Sequence, residues 1–454
     1  MRVAVIGAGI SGLCAARDLS RDHDVIVFEA DDRLGGHANT VEVEVDGVPV
    51  VVDTGFIVFN ATNYPGFLAM LTELGVAHHA APMSFSVTDG AALEYSITST
   101  NSLFANRANA LRPGFLRMLL QVRRFNDDLA TLVAGEPPWT GADRLPATGA
   151  DDAAAGRDEP TLGDVVTAGG YSPAFVAGFL VPFGSAIWSA DPRAFLDFPA
   201  RSYARFMSNH GLLVGRGARK WRTVTGGSRE YVCAVAAPLG DHIHTGVPVR
   251  RVTPVGGEVE VAVDSGPLRF DRVVVATHSD QALQMLGAPT QAQREVLGAI
   301  AYQPNTATLH TDVALMPRRR RAWAPWNSRI HPAVTGRATL TYWMNDLQSL
   351  TTPRPLLVTL NLSESIDPDQ VLGEYDYAHP VFDTGALAAQ RRRHEIQGVG
   401  GIAFAGAYLG YGFHEDGVQA GLEAARVVRG TADDTAGVGD GVAVGDGATT
   451  GTRA

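Results

Sequence analysis

The sequence predicts an α/β fold in which a parallel sheet flanked by helices is interleaved with a second, α+β domain. A β-branched run at 3–6 is followed by a glycine-rich turn, a helical pattern at 11–19 and another β-branched run at 25–28, which together predict a βαβ unit. Further strand patterns follow at 242–252, 259–263 and 272–276, and a last strand and helix at 402–428. The sheet should therefore be assembled from segments that lie far apart in the chain.

The residues between these segments predict the second domain. Residues 64–216 show mainly helical periodicity, and a mixed pattern follows residue 285. We therefore assign one discontinuous domain and one substrate domain. The first comprises residues 1–63, 217–285 and 395–430, and the second comprises residues 64–216 and 286–394.

Three further segments have local interpretations. Alternating Val and Glu around Asp46-Gly47 predict a hairpin of residues 40–45 and 48–52 with a type I′ turn. Residues 135–160 are dense in Ala, Gly, Asp and Pro, which predicts a surface loop. Residues 431–454 carry too few large apolar side chains to offset their ordering entropy, so we expect a disordered tail.

Charge and cysteine content exclude several classes of function. The formal net charge of -11 predicts a surface that repels nucleic acid. Cys14 and Cys233 are too few for a disulfide framework and too isolated for a metal site, so we expect a cytoplasmic protein without a metal. The chain enters its first strand at once, which leaves no room for a signal peptide, and no apolar run reaches the roughly 20 residues that span a bilayer.

A dinucleotide site is predicted where the first strand meets the first helix. Gly7, Gly9 and Gly12 stand in the G-x-G-x-x-G pattern, which permits the turn, the approach of a pyrophosphate and close helix packing. Glu29 ends the second strand, where its carboxylate can accept hydrogen bonds from ribose hydroxyls. Strand, helix and acid in register indicate a Rossmann-type domain.

The residues after Glu29 distinguish between the dinucleotides. Arg33 is followed by Gly35, Gly36 and His37, which place a cation and two more glycines beside the pyrophosphate. Here the chain resembles the flavin amine oxidase and phytoene desaturase superfamily. The resemblance extends to about residue 428 through four more segments, 53–56, 225–228, 273–277 and 404–406.

The resemblance implies non-covalent FAD in a domain like that of p-hydroxybenzoate hydroxylase, with a substrate domain closing over the flavin ring. Several residues would hold the cofactor by their match to the superfamily's motifs. They are Gly7, Gly9, Ser11 and Gly12 for the pyrophosphate, Glu29 for the ribose, Arg33, Gly36 and His37 for the phosphates or ribityl chain, Val249 for adenine, and Gly406, Asp416, Gly417 and Val418 near the flavin. A helix opened by residues 416–418 would stabilise reduced flavin by its dipole, although Asp416 could equally be the N-cap of a surface helix.

Two departures from the superfamily bear on the chemistry. The superfamily's amine oxidases carry a lysine near flavin N5, whereas the strand that should carry it here reads Asn305-Thr306-Ala307-Thr308-Leu309-His310, and Lys220 is the only lysine in the chain. The superfamily's cysteine for covalent attachment is also missing, so FAD should be released on denaturation. Since no second strand-GxGxxG-helix unit is present, we expect no nicotinamide domain, and the electron acceptor stays open.

Candidate catalytic residues follow from their expected place near the flavin. Tyr408 and Tyr411, with Phe413 and His414, could hold a substrate C–H bond against the flavin or could simply be core residues. His310 lies on a strand expected beside the flavin, where a neutral imidazole could assist proton transfer, although a lone histidine is more often structural.

A closer resemblance concerns the substrate. Residues 186–189, 309–312, 316–320 and 412–417 are similar to a bacterial subgroup of FAD-dependent oxidoreductases encoded beside cyclopropane fatty acid synthase-like methyltransferases. This likeness implies a lipid-like substrate. The run Arg318, Arg319, Arg320 and Arg321, set among tryptophans, is either a grip for an anionic lipid at the inner membrane face or a solvated basic loop. The amphipathic pattern at 115–125 indicates either a core helix or a membrane-surface helix.

Three functions are compatible with these patterns. The first is hydride removal from a C–H bond of a lipid-like substrate, giving desaturation or isomerisation of a fatty acyl chain. The second is an amine or amino-acid oxidase that uses oxygen, which the missing lysine opposes. The third is a flavin-binding protein without turnover.

Overall fold

The structure is a computed structural model that describes residues 1–134, 160–212, 220–330 and 336–430. The predicted disordered tail lies outside the described residues, as does the predicted surface loop up to residue 159. Within the described residues no helix is long and apolar enough to cross a membrane.

The strands follow the chain from the N-terminus. They are β1 (Arg2–Ile6), β2 (Asp24–Phe28), β3 (Thr40–Val45), β4 (Val48–Asp53), β5 (Phe59–Asn60), β6 (His78–Ala80), β7 (Phe85–Thr88), β8 (Glu94–Ser96), β9 (Trp221–Val224), β10 (Ile243–His244), β11 (Val249–Val255), β12 (Glu258–Val263), β13 (Gly266–Phe270), β14 (Arg272–Val275), β15 (Tyr302–His310), β16 (Trp326–Arg329), β17 (Leu340–Trp343), β18 (Leu357–Leu360), β19 (Val371–Pro380) and β20 (Ile402–Phe404).

The α-helices are interspersed among these strands. They are α1 (Ile10–Leu19), α2 (Pro65–Glu73), α3 (Thr100–Leu103), α4 (Pro113–Leu132), α5 (Leu162–Ala168), α6 (Pro173–Phe175), α7 (Val181–Trp188), α8 (Ala200–Asn209), α9 (Arg229–Ala236), α10 (Ser279–Met285), α11 (Gln291–Gly298), α12 (Met344–Leu347), α13 (Thr384–Arg391) and α14 (His414–Arg429).

A parallel sheet in the order β10-β2-β1-β14-β20 carries the first domain. Its central strands are almost fully buried because helices α1 and α14 pack on them and the three-stranded sheet β11-β12-β13 joins the same hydrophobic core. Two glycines of α14 allow that helix to approach α1 closely, since a methyl group on Gly421 would lie 2.3 Å from the carbonyl oxygen of Ser11. The predicted α/β fold, with its Rossmann-type βαβ unit, is confirmed.

A mixed sheet in the order β19-β15-β18-β17-β16-β7-β8 carries the substrate domain. Helices α4, α6, α7 and α8 cover it with aromatic side chains, which form a second hydrophobic core separate from that of the first domain. Each of these two sheets thus belongs to its own hydrophobic core. The β3–β4 hairpin has its turn at Asp46 and Gly47, both with positive φ, as the predicted type I′ turn requires.

The structure shifts the predicted domain boundaries at three places. Helices α11 and α13 lie in segments assigned to the substrate domain, yet Val296, Leu297 and Ala386 pack into the first core. The β3–β4 hairpin was assigned to the first domain, yet Val45 and Val52 pack into the second core. Sequence patterning identifies elements but not the core that each element joins, which explains these differences.

Candidate active site

The glycine turn after β1 has the shape that a diphosphate requires. A methyl group on Gly12 would lie 1.8 Å from the carbonyl oxygen of Gly7, so α1 can begin this close to the turn only with glycine there. No atom lies within 4 Å of the position that a Cβ of Gly9 would take. Gly9 therefore presents bare backbone to open space at the N-terminus of α1, where amide hydrogens and the helix dipole favour an anion. Ser11 is buried and faces Gly417 of α14.

Glu29 is held at the end of β2 by backbone amides. Its carboxylate accepts hydrogen bonds from the amides of Ala8 at 2.6 Å and Asp31 at 3.0 Å. A carboxylate has about four acceptor positions, so two remain for ribose hydroxyls. The amide of Val247 donates to the carbonyl oxygen of Glu29 at 2.9 Å, which brings the start of β11, with Val249, beside this acid.

Arg33 and the two glycines that follow complete the phosphate side of the site. Gly36 has a φ of 57°, and a methyl group on it would lie 3.3 Å from the Cα of Gly9. The amide of Gly35 donates to the carbonyl oxygen of Ala8 at 2.9 Å. A guanidinium nitrogen of Arg33 is buried without a hydrogen-bond partner among the described residues, which is costly unless an anion pairs with it. These residues fit the diphosphate of FAD.

Two other segments in the superfamily resemblance, residues 53–56 and 225–228, are joined by a buried carboxylate. Asp53 is 1% exposed and accepts hydrogen bonds from the amide and hydroxyl of Ser228 and from the side chains of Thr40 and Gln348. Burial raises the pKa of Asp53, whereas these hydrogen bonds oppose the shift. The motif at 53–56 is therefore anchored to the motif at 225–228 through Asp53.

Two histidines lie beside His37, the residue that follows the paired glycines, and form a cluster of three with it. The ring of His37 lies 5.9 Å from that of His278 and 5.3 Å from that of His379, between centroids. Burial, followed by the neighbouring His379 and His278, lowers the pKa of His37 well below its usual value, and burial lowers the pKa of His379 to about 4. The Nε2 atom of His37 has no partner within the part of the chain that the structure describes. The cluster is therefore neutral at physiological pH and leaves one ring nitrogen available to a ligand.

Asn305 lies on β15, the strand on which the superfamily's amine oxidases would carry their lysine. Its side-chain amide donates to the carbonyl oxygen of Gln303 at 3.1 Å and lies 3.0 Å from Nδ1 of His379. Its carbonyl oxygen accepts a hydrogen bond from Asn361 at 2.8 Å. The residue is 1% exposed. Asn305 is thus a buried, neutral amide on β15. The chain's lysine, Lys220, is exposed just before β9.

The last helix begins at His414, two residues before the opening at 416–418 that its sequence indicated. Phe413 is the N-cap of α14, and Asp416 accepts a hydrogen bond from the Phe413 amide at 2.9 Å. Burial raises the pKa of Asp416 to about 7. The interpretation of Asp416 as N-cap is therefore wrong. Gly417 packs on Ile10 of α1, and Val418 is buried in the first core, so both face protein and the helix opens at 413–414.

Glu415 and His414 connect this helix start to other elements. His414 was expected near the flavin, whereas Glu415 was noticed only as part of the segment 412–417. Glu415 is 1% exposed and accepts hydrogen bonds from the amides of Gly66 and Phe67 at the start of α2. The ring of His414 stacks on Phe56 with 3.5 Å between centroids, and its Nε2 lies 2.7 Å from the hydroxyl of Tyr231. Both side chains therefore fix α14 against its neighbours.

The aromatic residues predicted near the flavin divide between the two cores. Phe413 stacks on Phe206 at 4.9 Å between centroids, and Trp188 lies 4.6 Å from Phe206. Tyr411 belongs to the same core, 6.2 Å from Phe206. Tyr408 instead packs in the first core beside Gly406, and its carbonyl oxygen accepts a hydrogen bond from Gln390. The structure therefore groups Tyr411 with Phe413 and Trp188 but separates Tyr408 from them.

His310 does not lie beside these groups. It is fully buried at the end of β15, with its Nε2 atom 2.7 Å from the hydroxyl of Thr359, and burial lowers its pKa to about 4. It follows Asn305 by five residues, a distance of roughly 17 Å along a strand. The structure thus places His310 inside the mixed sheet, where β15 pairs with β18, and its expected role beside the flavin stays a prediction.

The arginine run at 318–321 is divided between structural and unpaired side chains. Arg319 forms an ion pair with the buried Glu94, and Arg320 stacks 3.8 Å above the ring of Trp323. Arg319 and Arg320 therefore already have partners within the protein, and the expected grip of the run on an anionic lipid stays a prediction. Arg318 and Arg321 form no ion pair with another described residue.

Comparison with known proteins decides the family. Residues 10–374 match the model of the flavin containing amine oxidoreductase family. The chain belongs to this family. FAD is accordingly its cofactor, in agreement with the glycine turn, Glu29 and Arg33, and the protein is an FAD-dependent oxidoreductase.

Individual relatives differ in their substrates. The chain is 30% identical over 285 residues to AofH of Mycobacterium tuberculosis, whose name assigns it to the flavin-containing monoamine oxidases. That match covers 60% of this chain and about half, 56%, of the relative's length. The fold is also similar to that of cyclohexylamine oxidase from Brevibacterium oxydans, with 18% identity, a TM-score of 0.67 and coverage of 94% and 98% of the two chains. A fatty acid isomerase from P. acnes that produces CLA has 14% identity, a TM-score of 0.65 and the same coverage.

Proposed function

We propose that this oxidoreductase removes a hydride from a C–H bond of a lipid-like substrate, desaturating or isomerising a fatty acyl chain. The observation that carries the proposal is the aromatic cluster of Trp188, Phe206, Tyr411 and Phe413, which continues the core of the substrate domain to the start of α14. An apolar surface of this kind favours an alkyl chain over a hydrated, charged group.

The surroundings of Asn305 support the same class of substrate. Its neutral amide is engaged with Gln303, Asn361 and His379, so Asn305 itself contributes neither a cation nor a carboxylate. The imidazole of His379, neutral because its pKa is about 4, can accept or return a proton near pH 7 only with a strong partner. The chemistry therefore depends on hydride transfer more than on a basic side chain.

Bound FAD supplies the hydride acceptor. The residues of this chain would position the substrate instead: the stacked rings of Phe206 and Phe413 restrict where an alkyl chain can lie, and the buried aromatic surroundings exclude water. The start of α14 holds Phe413 in place through its hydrogen bond to Asp416. The site can thus orient a C–H bond without a charged contact.

Anaerobic mixing tests the proposal. The oxidised holoenzyme is mixed separately with unsaturated fatty acids, acyl phospholipids and primary amines while the flavin absorbance is followed, and lipid products are analysed because isomerisation leaves no net reduction. We expect reduction or a new double-bond position with an acyl chain and no response to amines. Rapid bleaching by a simple amine, with unchanged lipids, contradicts the proposal.

A second candidate is oxidation of an amine by oxygen. It is supported by the similarity to AofH and to cyclohexylamine oxidase, whose names specify amines. In that reaction the amine loses two electrons and two protons, and oxygen takes them up as hydrogen peroxide. Release of peroxide on adding a primary amine in air would favour this candidate over the first.

A further inference from the structure

Positive charge is concentrated in one segment of the substrate domain. Residues 97–126 contain five arginines and no Asp or Glu. This segment therefore carries +5 while the rest of the chain carries −16, which together give the net charge of -11. Such separation within an acidic protein produces a local surface that attracts anions.

The same segment carries the most exposed leucine side chains of the described residues. Leu111 is 87% exposed and Leu120 is 72% exposed, and with Leu116, at 39%, they are the most exposed leucines among the described residues. Leu116 and Leu120 are one turn apart on α4 and therefore lie on one face. The opposite face of α4 is buried through Phe115, Met118, Val122 and Phe125. Helix α4 thus has two apolar faces. One is buried in the protein, and the other, with Leu116 and Leu120, is exposed to solvent.

The arginines of this face are not neutralised by carboxylates. Arg117 and Arg123 form no ion pair with any described residue. Arg107 and Arg112 donate only to neutral oxygens, such as those of Asn101 and Ala92. Arg124 differs, since it is held by Asp128 and stacks on Tyr171. The positive charge around Leu116 and Leu120 is therefore available to an external anion.

A second basic segment adjoins the first. The 3₁₀ turn at Arg320–Ala322 packs against α3 and β8, the elements that lead into α4. Arg321 lies in this turn and Arg318 just before it, and neither is paired with a carboxylate in the ranges that the structure describes. Both segments therefore contribute charge to one side of the substrate domain.

We propose that this surface, formed by Leu111, Leu116 and Leu120 with the unpaired arginines around them, docks the protein on a bilayer that contains anionic lipids. Leucine side chains gain by leaving water for the acyl boundary, and arginines pair with lipid phosphates. A nucleic acid would engage the arginines but leave the leucines in water. The inner face of α4 packs on α8, which carries Phe206, so docking places the bilayer across one helix from the aromatic cluster. The proposal is independent of the substrate, because binding requires no turnover.

Vesicle sedimentation of the holoenzyme tests the docking. The vesicles contain phosphatidylcholine alone or a mixture with phosphatidylglycerol. We expect binding to the mixed vesicles, weak binding to phosphatidylcholine, and a decrease as salt screens the arginines. Absence of binding to the mixed vesicles at low salt overturns the proposal.

Matched variants locate the surface. Each arginine near an anionic membrane contributes roughly a fivefold factor in partitioning, so the double variant Arg117→Gln and Arg123→Gln should bind roughly 25-fold more weakly. The control, Arg251→Gln with Arg294→Gln, makes the same change in charge at exposed arginines of the other domain and should bind like the unmodified protein. Equal losses in both double variants would mean that net charge, not this surface, governs binding.

The leucines require a separate comparison. Leu120→Ser and Leu111→Ser should weaken binding several-fold even at low salt, whereas Val255→Ser, at a 38% exposed position of β11, should not. Flavin absorbance and melting temperature are measured for every variant to verify the fold. A concentration-dependent dimer that Leu120→Ser dissociates, with unchanged vesicle binding, would assign the face to a second copy and overturn the proposal.

Discussion

The glycine turn before α1 and the aromatic cluster before α14 differ in what determines their geometry. At the turn, backbone contacts among Gly7, Gly9 and Gly12, six residues of sequence, determine the shape. At the cluster, Trp188, Phe206 and Phe413 meet from three separate elements. The first site has no room for a side chain at Gly7 or Gly12 and has open space only at Gly9, whereas the second depends on side-chain packing. Substitutions should therefore act on cofactor retention at the turn and on turnover at the cluster.

The largest effect is expected at the turn. Gly9→Val should abolish retention of FAD, because its side chain would fill the open space in front of the helix N-terminus, while the apoprotein melts normally. Gly12→Ala is the counterpart: its methyl group would lie 1.8 Å from the Gly7 carbonyl oxygen and should destabilise the fold itself by several kcal/mol. The ratio of flavin to protein absorbance and the melting temperature of each apoprotein distinguish the two outcomes. Full flavin occupancy in Gly9→Val would refute the assignment of the site.

Glu29 should give the next largest effect. Glu29→Ala removes the ribose acceptor and leaves the Ala8 amide without its partner, so the dissociation constant of FAD should rise by roughly one to two orders of magnitude. Glu29→Gln keeps a neutral acceptor, so its dissociation constant for FAD should lie between those of the unmodified protein and Glu29→Ala. Titration of the apoproteins with FAD, followed by fluorescence, measures this series. An unchanged dissociation constant in Glu29→Ala would remove the residue from the site.

The aromatic cluster should respond in rate and not in cofactor content. Phe413→Ala removes the ring that stacks on Phe206 and should slow flavin reduction or product formation by an acyl substrate roughly tenfold or more through misplacement, with FAD content unchanged. Phe104→Ala, at a partly buried ring of the same core, serves as the control for general loosening. Similar rates in the two variants would show that Phe413 has no special part in positioning.

The smallest effect concerns Asp416. Burial raises its pKa from 3.8 to about 7 in the folded protein, so the folded state binds the proton more tightly and stability should fall as the pH rises from about 4 to about 7. Buried His379 and His414, with pKa values of about 4 and 3, act in the opposite direction as the pH rises towards 6.5. The pH dependence of melting must therefore be compared between Asp416→Asn and the unmodified protein. We expect the difference in stability to favour Asp416→Asn increasingly up to pH 7, and a constant difference would exclude a titrating Asp416.

The glycine turn could be predicted from the sequence far better than the aromatic cluster, because the turn is formed by neighbouring residues. The βαβ unit, the turn and Glu29 could be identified because strand period, glycine spacing and the acid lie within 30 residues. The orphaned nitrogen of Arg33 beside Gly36 agrees with its predicted role, since both follow directly from β2. These features are determined by residues close together in the sequence, so they can be predicted without knowing the rest of the fold.

The rest depended on packing between distant segments. Asn305 and His379 meet only because β15 and β19 pair antiparallel. The two residues are 74 positions apart, so no local sequence motif predicts their contact. His310 contacts Thr359 on β18, 49 residues away, and a strand pattern gives the alternation of side chains but not such a neighbour. Glu415 lies within a motif that was noticed, yet its partners at the start of α2 are about 350 residues away.

The approach of α14 to α1 has a consequence for how the protein is made. Strand β20 and helix α14 are among the last described elements of the chain, yet they complete the sheet and helix layer that begin with β1 and α1. A nascent chain on the ribosome presents its glycine turn hundreds of residues before Gly417 and Gly421 emerge to cover it. Capture of FAD in its final form therefore follows the release of the C-terminal helix, so cofactor loading is a late event in biosynthesis.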